Sequence, residues 1–145
     1  MKVLLCILSA AFIGREVLAS IPPARYSGDS VLLKKGLYYF GGRPDNNADA
    51  PGTIQDFIYL NISESFDVND AQSAWENVEV IGTLTAERNY GYGMGVIPEE
   101  DSIMIYGGAG SNTFGSLLHY PVMLYNATSN RWQDLTEPPN ALKQP

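Results

Sequence analysis

Cysteine is almost missing: Cys6 is the one thiol in 145 residues, so neither an internal disulfide nor a cysteine-built zinc site can form. Histidine is equally scarce, with His119 alone. A single imidazole lacks the co-ligands of a metal site and the orienting partners of a Ser-His-Asp set, so His119 is expected to be a partly exposed loop residue. Cations are outnumbered, 9 Lys+Arg against 16 Asp+Glu, for a net charge of -7. That balance argues against nucleic-acid and anionic-membrane surfaces, both of which need clustered positive charge. Sustained helical periodicity is lacking; the nearest candidate, residues 67–78, is polar with a single Trp. No apolar run approaches the roughly 20 residues that cross a bilayer. What the chain does have is 45% apolar residues, within the globular range, and length for about one domain.

The first residues read as an address. Lys2 precedes an apolar run over residues 3–13, which is followed by polar Gly14-Arg15-Glu16 and then Val17-Leu18-Ala19. This is the order of a secretory signal peptide, with cleavage expected after Ala19 and with Ser20 as the near alternative. Cys6 would leave with the leader. The mature chain is expected in the secretory pathway, extracellular or at the cell surface.

A long internal repeat organises the remainder. Leu37-Tyr38-Tyr39-Phe40-Gly41-Gly42 is echoed by Ile103-Met104-Ile105-Tyr106-Gly107-Gly108, and Ile58-Tyr59-Leu60-Asn61-Ile62-Ser63 by Met123-Leu124-Tyr125-Asn126-Ala127-Thr128. Trp75 and Trp132 follow in the same order, and Arg25-Tyr26-Ser27-Gly28 precedes one copy as Arg88-Asn89-Tyr90-Gly91 precedes the other. Runs rich in β-branched and aromatic residues, bounded by Gly, Pro, Asn and Asp, predict four strands per copy. They fall at residues 25–33, 36–40, 56–61 and 74–80, then at 90–97, 102–106, 121–125 and 131–135. Lys34-Lys35-Gly36 and Pro98-Glu99-Glu100-Asp101 read as turns. Residues 43–55 and 109–120 are long connections at equivalent places, and residues 64–73 are an insertion in the first copy. The fold class is all-β.

These markers resemble the kelch repeat: an apolar strand ending in Gly-Gly, a strand ending in Tyr, and a Trp opening the last strand. The motif residues are Gly41, Gly42, Tyr59 and Trp75, then Gly107, Gly108, Tyr125 and Trp132. The resemblance implies two four-stranded blades of a β-propeller, at residues 20–80 and 81–136, with 137–145 starting a third, and both tryptophans packed between neighbouring blades. A propeller needs roughly 4–8 blades. The remaining blades of a longer chain, or self-association, are therefore expected to cover the open faces. Gly91, Gly93 and Gly95 alternate along one strand and are expected to leave a face bare for close approach of other backbones.

Chemistry is sparse. Galactose-oxidase-type copper enzymes are similar in blade pattern, and the alternative reading is the N-terminal part of such an enzyme, with ligands beyond Pro145. From these residues neither catalysis nor a cofactor is expected. Gly107-Gly108-Ala109-Gly110-Ser111 mimics a phosphate turn, but Thr113 stands where the third glycine belongs and no helix follows. Asp45-Asn46-Asn47-Ala48-Asp49 lacks the spacing and closing Glu of a calcium loop. Asn61-Ile62-Ser63 and Asn126-Ala127-Thr128 are glycosylation sequons just after equivalent strands. The expected function is a protein- or carbohydrate-binding scaffold acting through the long loops.

Overall fold

The computed structural model describes residues 22–44, 52–110 and 118–136. The expected leader and the expected start of a third blade lie outside them. Ten strands run through the described residues: β1 (Asp29–Leu33), β2 (Gly36–Phe40), β3 (Phe57–Asn61), β4 (Trp75–Asn77), β5 (Asn89–Tyr90), β6 (Gly93–Ile97), β7 (Ser102–Tyr106), β8 (Ala109–Gly110), β9 (Val122–Asn126) and β10 (Arg131–Asp134). They build two antiparallel four-stranded sheets, β1-β2-β3-β4 and β6-β7-β9-β10, with β5 pairing β8 in a short ribbon. The chain is all-β, and the two sheets are blades of the β-propeller type. No helix among the described residues is long and apolar enough to cross a membrane.

Register follows the repeat. Tyr38 pairs with Tyr59 and Phe40 with Phe57, as Met104 pairs with Leu124 and Tyr106 with Val122. Leu60 lies opposite Trp75, as Tyr125 lies opposite Trp132. Cross-strand partners share a face, so each blade has an inner row set by these pairings. The first blade turns Phe40, Phe57, Tyr38 and Tyr59 to one side. The second meets that side with Ile103, Ile105, Met123, Tyr125 and Trp132. The core forms between the two blades: Phe57 stands edge-on to Tyr125 at 4.7 Å and 5.2 Å from Trp132, and Phe40 is 6.1 Å from Trp132. Polar bonds tie the innermost strands. The Tyr92 hydroxyl donates to the Phe40 carbonyl and accepts from Asp29 N at 3.0 Å, and Met94 N donates to Asp29 Oδ2 at 3.2 Å. Burial drives the Tyr92 and Tyr125 hydroxyls up from the usual phenol range.

Two details differ from the sequence reading, and a third, the insertion without a helix, agrees with it. The first strand of each copy is interrupted, at Ser27 (φ 54°) and at Gly91 (φ 65°). Before the kink the chain pairs with the root of its own long loop, Tyr26 with Arg43 and Tyr90 with Ala109; after it the strand enters the sheet. Gly91 N donates to Ser27 O at 2.8 Å, so the kinks brace each other. Gly91 and Gly95 meet no backbone: a Cβ on either would find nothing within 4 Å. Their bare row lies with Gly93 on the outward side of the second blade. The insertion forms successive turns, with Asp70 N donating to Asp67 O and Ser73 N to Asp70 O, because its polar residues have no apolar stripe to bury as a helix.

Candidate functional site

The site is built where the long connections leave the sheets. Gly41 and Gly42 follow β2, Gly107 and Gly108 follow β7, and all four have positive φ. Asn89, only 4% exposed, sits between the pairs. Its carbonyl accepts from Gly42 N at 2.9 Å and its Nδ2 donates to Gly107 O at 2.9 Å. A Cβ at Gly41 would stand 2.5 Å from Asn89 O, so the glycine is required by close approach as well as by φ. In the first blade Arg25 takes the place of Asn89: its Nη1 donates to Gly41 O at 3.2 Å, while Nη2 pairs with Asp56 at 2.8 Å. The sequence echo set Arg25 against Arg88; the geometry sets it against Asn89, one residue on. The matching signal was Tyr26 with Tyr90.

Both loop roots rest on residues 86–90. Gln55 Nε2 donates to Ala86 O at 3.0 Å, the Arg43 guanidinium lies over the Tyr90 ring at 5.1 Å, and Glu87 Oε2 accepts from Tyr120 N at 2.8 Å. His119 is exposed and stands edge-on to Tyr120 at 4.5 Å. The roots of the two long connections thus lie side by side at one end of the two blades, among aromatic and charged side chains. Asp45 to Asp49, Ser111 and Thr113 lie outside the described residues.

Burial pushes the Tyr38 and Tyr39 hydroxyls up, and hydrogen bonds from Thr136 pull the Asp134 carboxyl down, with His119 adding a weaker pull. Each shift moves its group away from neutrality, whereas a general acid or base works near the operating pH. No group of three or more His, Asp, Glu or Cys among the described residues is placed to hold a metal ion. A galactose-oxidase-type copper site does not fit the residues present: it needs several histidines and a cysteine joined to a tyrosine, and His119 is the one histidine.

The opposite end carries the tight turns and both sequons. Lys34 pairs with Asp101 there, joining the blades, and Thr128 Oγ1 donates to the same carboxylate at 2.7 Å. These two partners hold the Asp101 carboxyl below the usual carboxylate range. Asn61 is exposed, and its Oδ1 accepts from Ser63 N at 2.9 Å. Asn126 is half-buried, and its Nδ2 donates to Glu100 O at 2.8 Å and to Ser102 Oγ at 3.2 Å. A glycan on either asparagine would stand at the end of the sheets opposite the loop roots.

The motif residues divide unequally. Trp132 and Tyr125 are buried between the blades, and the Tyr125 hydroxyl donates to Asn130 Oδ1 at 2.9 Å. Trp75 is half-buried on the outward side of the first blade, where no neighbouring blade among the described residues covers it. The motif assigned Tyr59 to the role of Tyr125. The register gives that role to Leu60, and Tyr59 faces the other way, 5.1 Å from Tyr38. The echo of residues 58–63 in residues 123–128 already sets Leu60 against Tyr125; the neighbouring tyrosine drew the motif one residue early.

No family model and no curated protein matches the chain. Among solved structures its fold is similar to that of YjhT, with a TM-score of 0.52 and 14% sequence identity. The match covers 79% of this chain and 39% of that one, so two blades here span well under half of the other molecule.

Proposed function

We propose that the chain is an exported kelch-type propeller module that binds protein or carbohydrate ligands at its loop end, without catalysis from these residues. The observation that carries this reading is the shared root of the two long connections. Asn89 and its neighbours hold both loop bases together on rigid strands, which is how a scaffold presents variable segments to a ligand. Tyr90, Tyr120 and Arg43 supply the aromatic and guanidinium groups that binding surfaces favour. The sequons at the far end support the same reading, since glycans there leave the loop roots clear.

The test uses the protein secreted from eukaryotic cells, screened on glycan and protein arrays. Replacing residues 45–51 and 111–117 with short Gly-Ser turns should abolish any specific capture while leaving the circular dichroism of the sheets unchanged. Capture that survives both replacements would overturn the reading. The N-terminal sequence of the secreted product tests cleavage after Ala19.

A further inference from the structure

We infer that the two sequons are not equivalent: Asn61 carries the N-linked glycan, its first sugar seats in the cleft between the blades, and Asn126 stays bare. The inference rests on the proposed export of the chain, which brings the asparagines to the modifying enzyme, and deepens that reading. Asn61 ends β3 and Asn126 ends β9, and the two differ in the residue opposite. Asn126 pairs with Ser102, whereas Asn61 pairs with Gly36.

Ser102 is 1% exposed, and its Oγ donates to Glu100 O at 3.0 Å. Asn126 joins this pair, since its Nδ2 donates to both oxygens. Its Oδ1 accepts from Ser129 N at 2.8 Å and from Ser129 Oγ at 2.9 Å, so both ends of the amide are held. The sequon hydroxyl is engaged as well, with Thr128 Oγ1 donating to Asp101 Oδ2 at 2.7 Å. N-glycosylation replaces one amide hydrogen by the anomeric carbon of an N-acetylglucosamine. On Asn126 that carbon would stand on a half-buried nitrogen bonded to a buried serine, and polar groups stripped of partners there are costly. A chain modified at Asn126 folds poorly, so the exported product carries this asparagine bare.

At Asn61 the glycine opposite offers no such partner. Nδ2 of Asn61 donates to nothing among the described residues, and the turn to Ser63 holds the amide by its oxygen alone. Side chains alternate along a strand, so Asn61 shares the inner face of the first blade with Tyr59. A Cβ at Gly36 would run into the Tyr59 ring, which fills the place of the missing side chain beside Asn61. In the second copy the residue two before the asparagine is Leu124 and brings no ring. Tyr59, Asn61 and Tyr38 line a cleft of about 350 Å³, whose far wall is Asp101 and Ala127 of the second blade. The two tyrosine rings stand 5.1 Å apart. One face of a pyranose presents C–H bonds, which suit the negative face of an aromatic ring. Its hydroxyl and acetamide groups suit the polar rim that Lys35 and Asp101 provide. The first sugar therefore touches both blades and fastens them at the turn end.

The full chain secreted from cells that keep glycans high-mannose tests this. Amidase release in heavy-oxygen water marks each glycosylated asparagine, and peptide mass spectrometry should find Asn61 marked and Asn126 unmarked. Urea midpoints are then compared for the glycosylated chain, the chain trimmed to its first sugar, and Ser63→Ala, which loses the sequon and keeps Asn61. The first two should agree, and Ser63→Ala should fall below them. In a Tyr59→Leu background that difference should vanish. In the trimmed wild type, the sugar ring protons should show upfield shifts in NMR from the tyrosine rings, a readout that needs no variant. Glycan on Asn126, a bare Asn61 in the exported chain, an unchanged midpoint for Ser63→Ala, a difference that survives Tyr59→Leu, or unshifted sugar protons would each overturn the inference. A parallel chain with residues 1–19 replaced by the leader of a known secreted protein separates the two readings. If that chain alone is exported and carries glycan at Asn61 only, the export reading fails and this inference stands. If both are exported with Asn126 occupied, this inference alone fails.

Discussion

Trp132 and Trp75 hold the same register position in two copies of one sheet, and their surroundings could hardly differ more. Trp132 is 7% exposed and touches Phe40, Phe57 and Tyr125. Trp75 lines an open groove with prolines and Arg25. The side chain and the strand pairing are shared, so the difference comes from the neighbouring blade. A blade is therefore half of a structure: its face acquires meaning when another blade covers it.

The largest expected effect sharpens this contrast directly. Trp132→Ala should destabilise the folded chain by about 3–5 kcal/mol, the usual cost of emptying a buried aromatic site. Trp75→Ala should cost about 1–2 kcal/mol under dilute conditions, since much of that side chain is already wet. Urea midpoints of the two variants measure the gap, and equal losses would mean that Trp75 is covered in solution.

The next effect contrasts the clamped glycines with the open ones. Gly41→Ala forces a Cβ against the Asn89 carbonyl in a left-handed conformation, and should cost about 2–3 kcal/mol. Gly95→Ala places its methyl in open space at an ordinary φ, and should stay within about 0.5 kcal/mol of wild type. The smallest effect concerns the turn end. The Asp101 carboxyl titrates below its unfolded value, near 3.9, because Lys34 and Thr128 favour its charged form. Its stabilising contribution is therefore complete above about pH 4 and is lost as the pH falls through the folded-state value. Asp101→Asn should lower the urea midpoint at neutral pH, and the difference from wild type should vanish in acid.

Much of the fold was legible before any coordinates, and the reasons are local. The alternating runs around Tyr38 and Ile103 mark strands, and the Gly-Gly pairs mark where strands must stop. Pro98 to Asp101 reads as a turn, and the structure forms a 3-10 turn there, closed by Asp101 at φ 56°. The kinks at Ser27 and Gly91 were not legible, because they arise from a choice of partner, loop root first and sheet second. The candidate site was legible only as two long loops. Asn89, which joins them, has no special neighbours in the sequence; its role comes from two glycine turns brought to it from 47 and 18 residues away along the chain. Tyr59 was misassigned for a different reason: the aligned copies set Leu60 against Tyr125, and the adjacent tyrosine was preferred on residue type alone.

By itself the sequence determined the all-β class, the two copies, their strands and the ends at which loops and sequons emerge. Each of these depends on side-chain alternation and turn chemistry within a few residues. Only the tertiary structure decided which tryptophan is buried and that one asparagine fastens both loop roots. Those outcomes depend on which surfaces meet across long stretches of chain, and contact between distant residues leaves no local pattern to read.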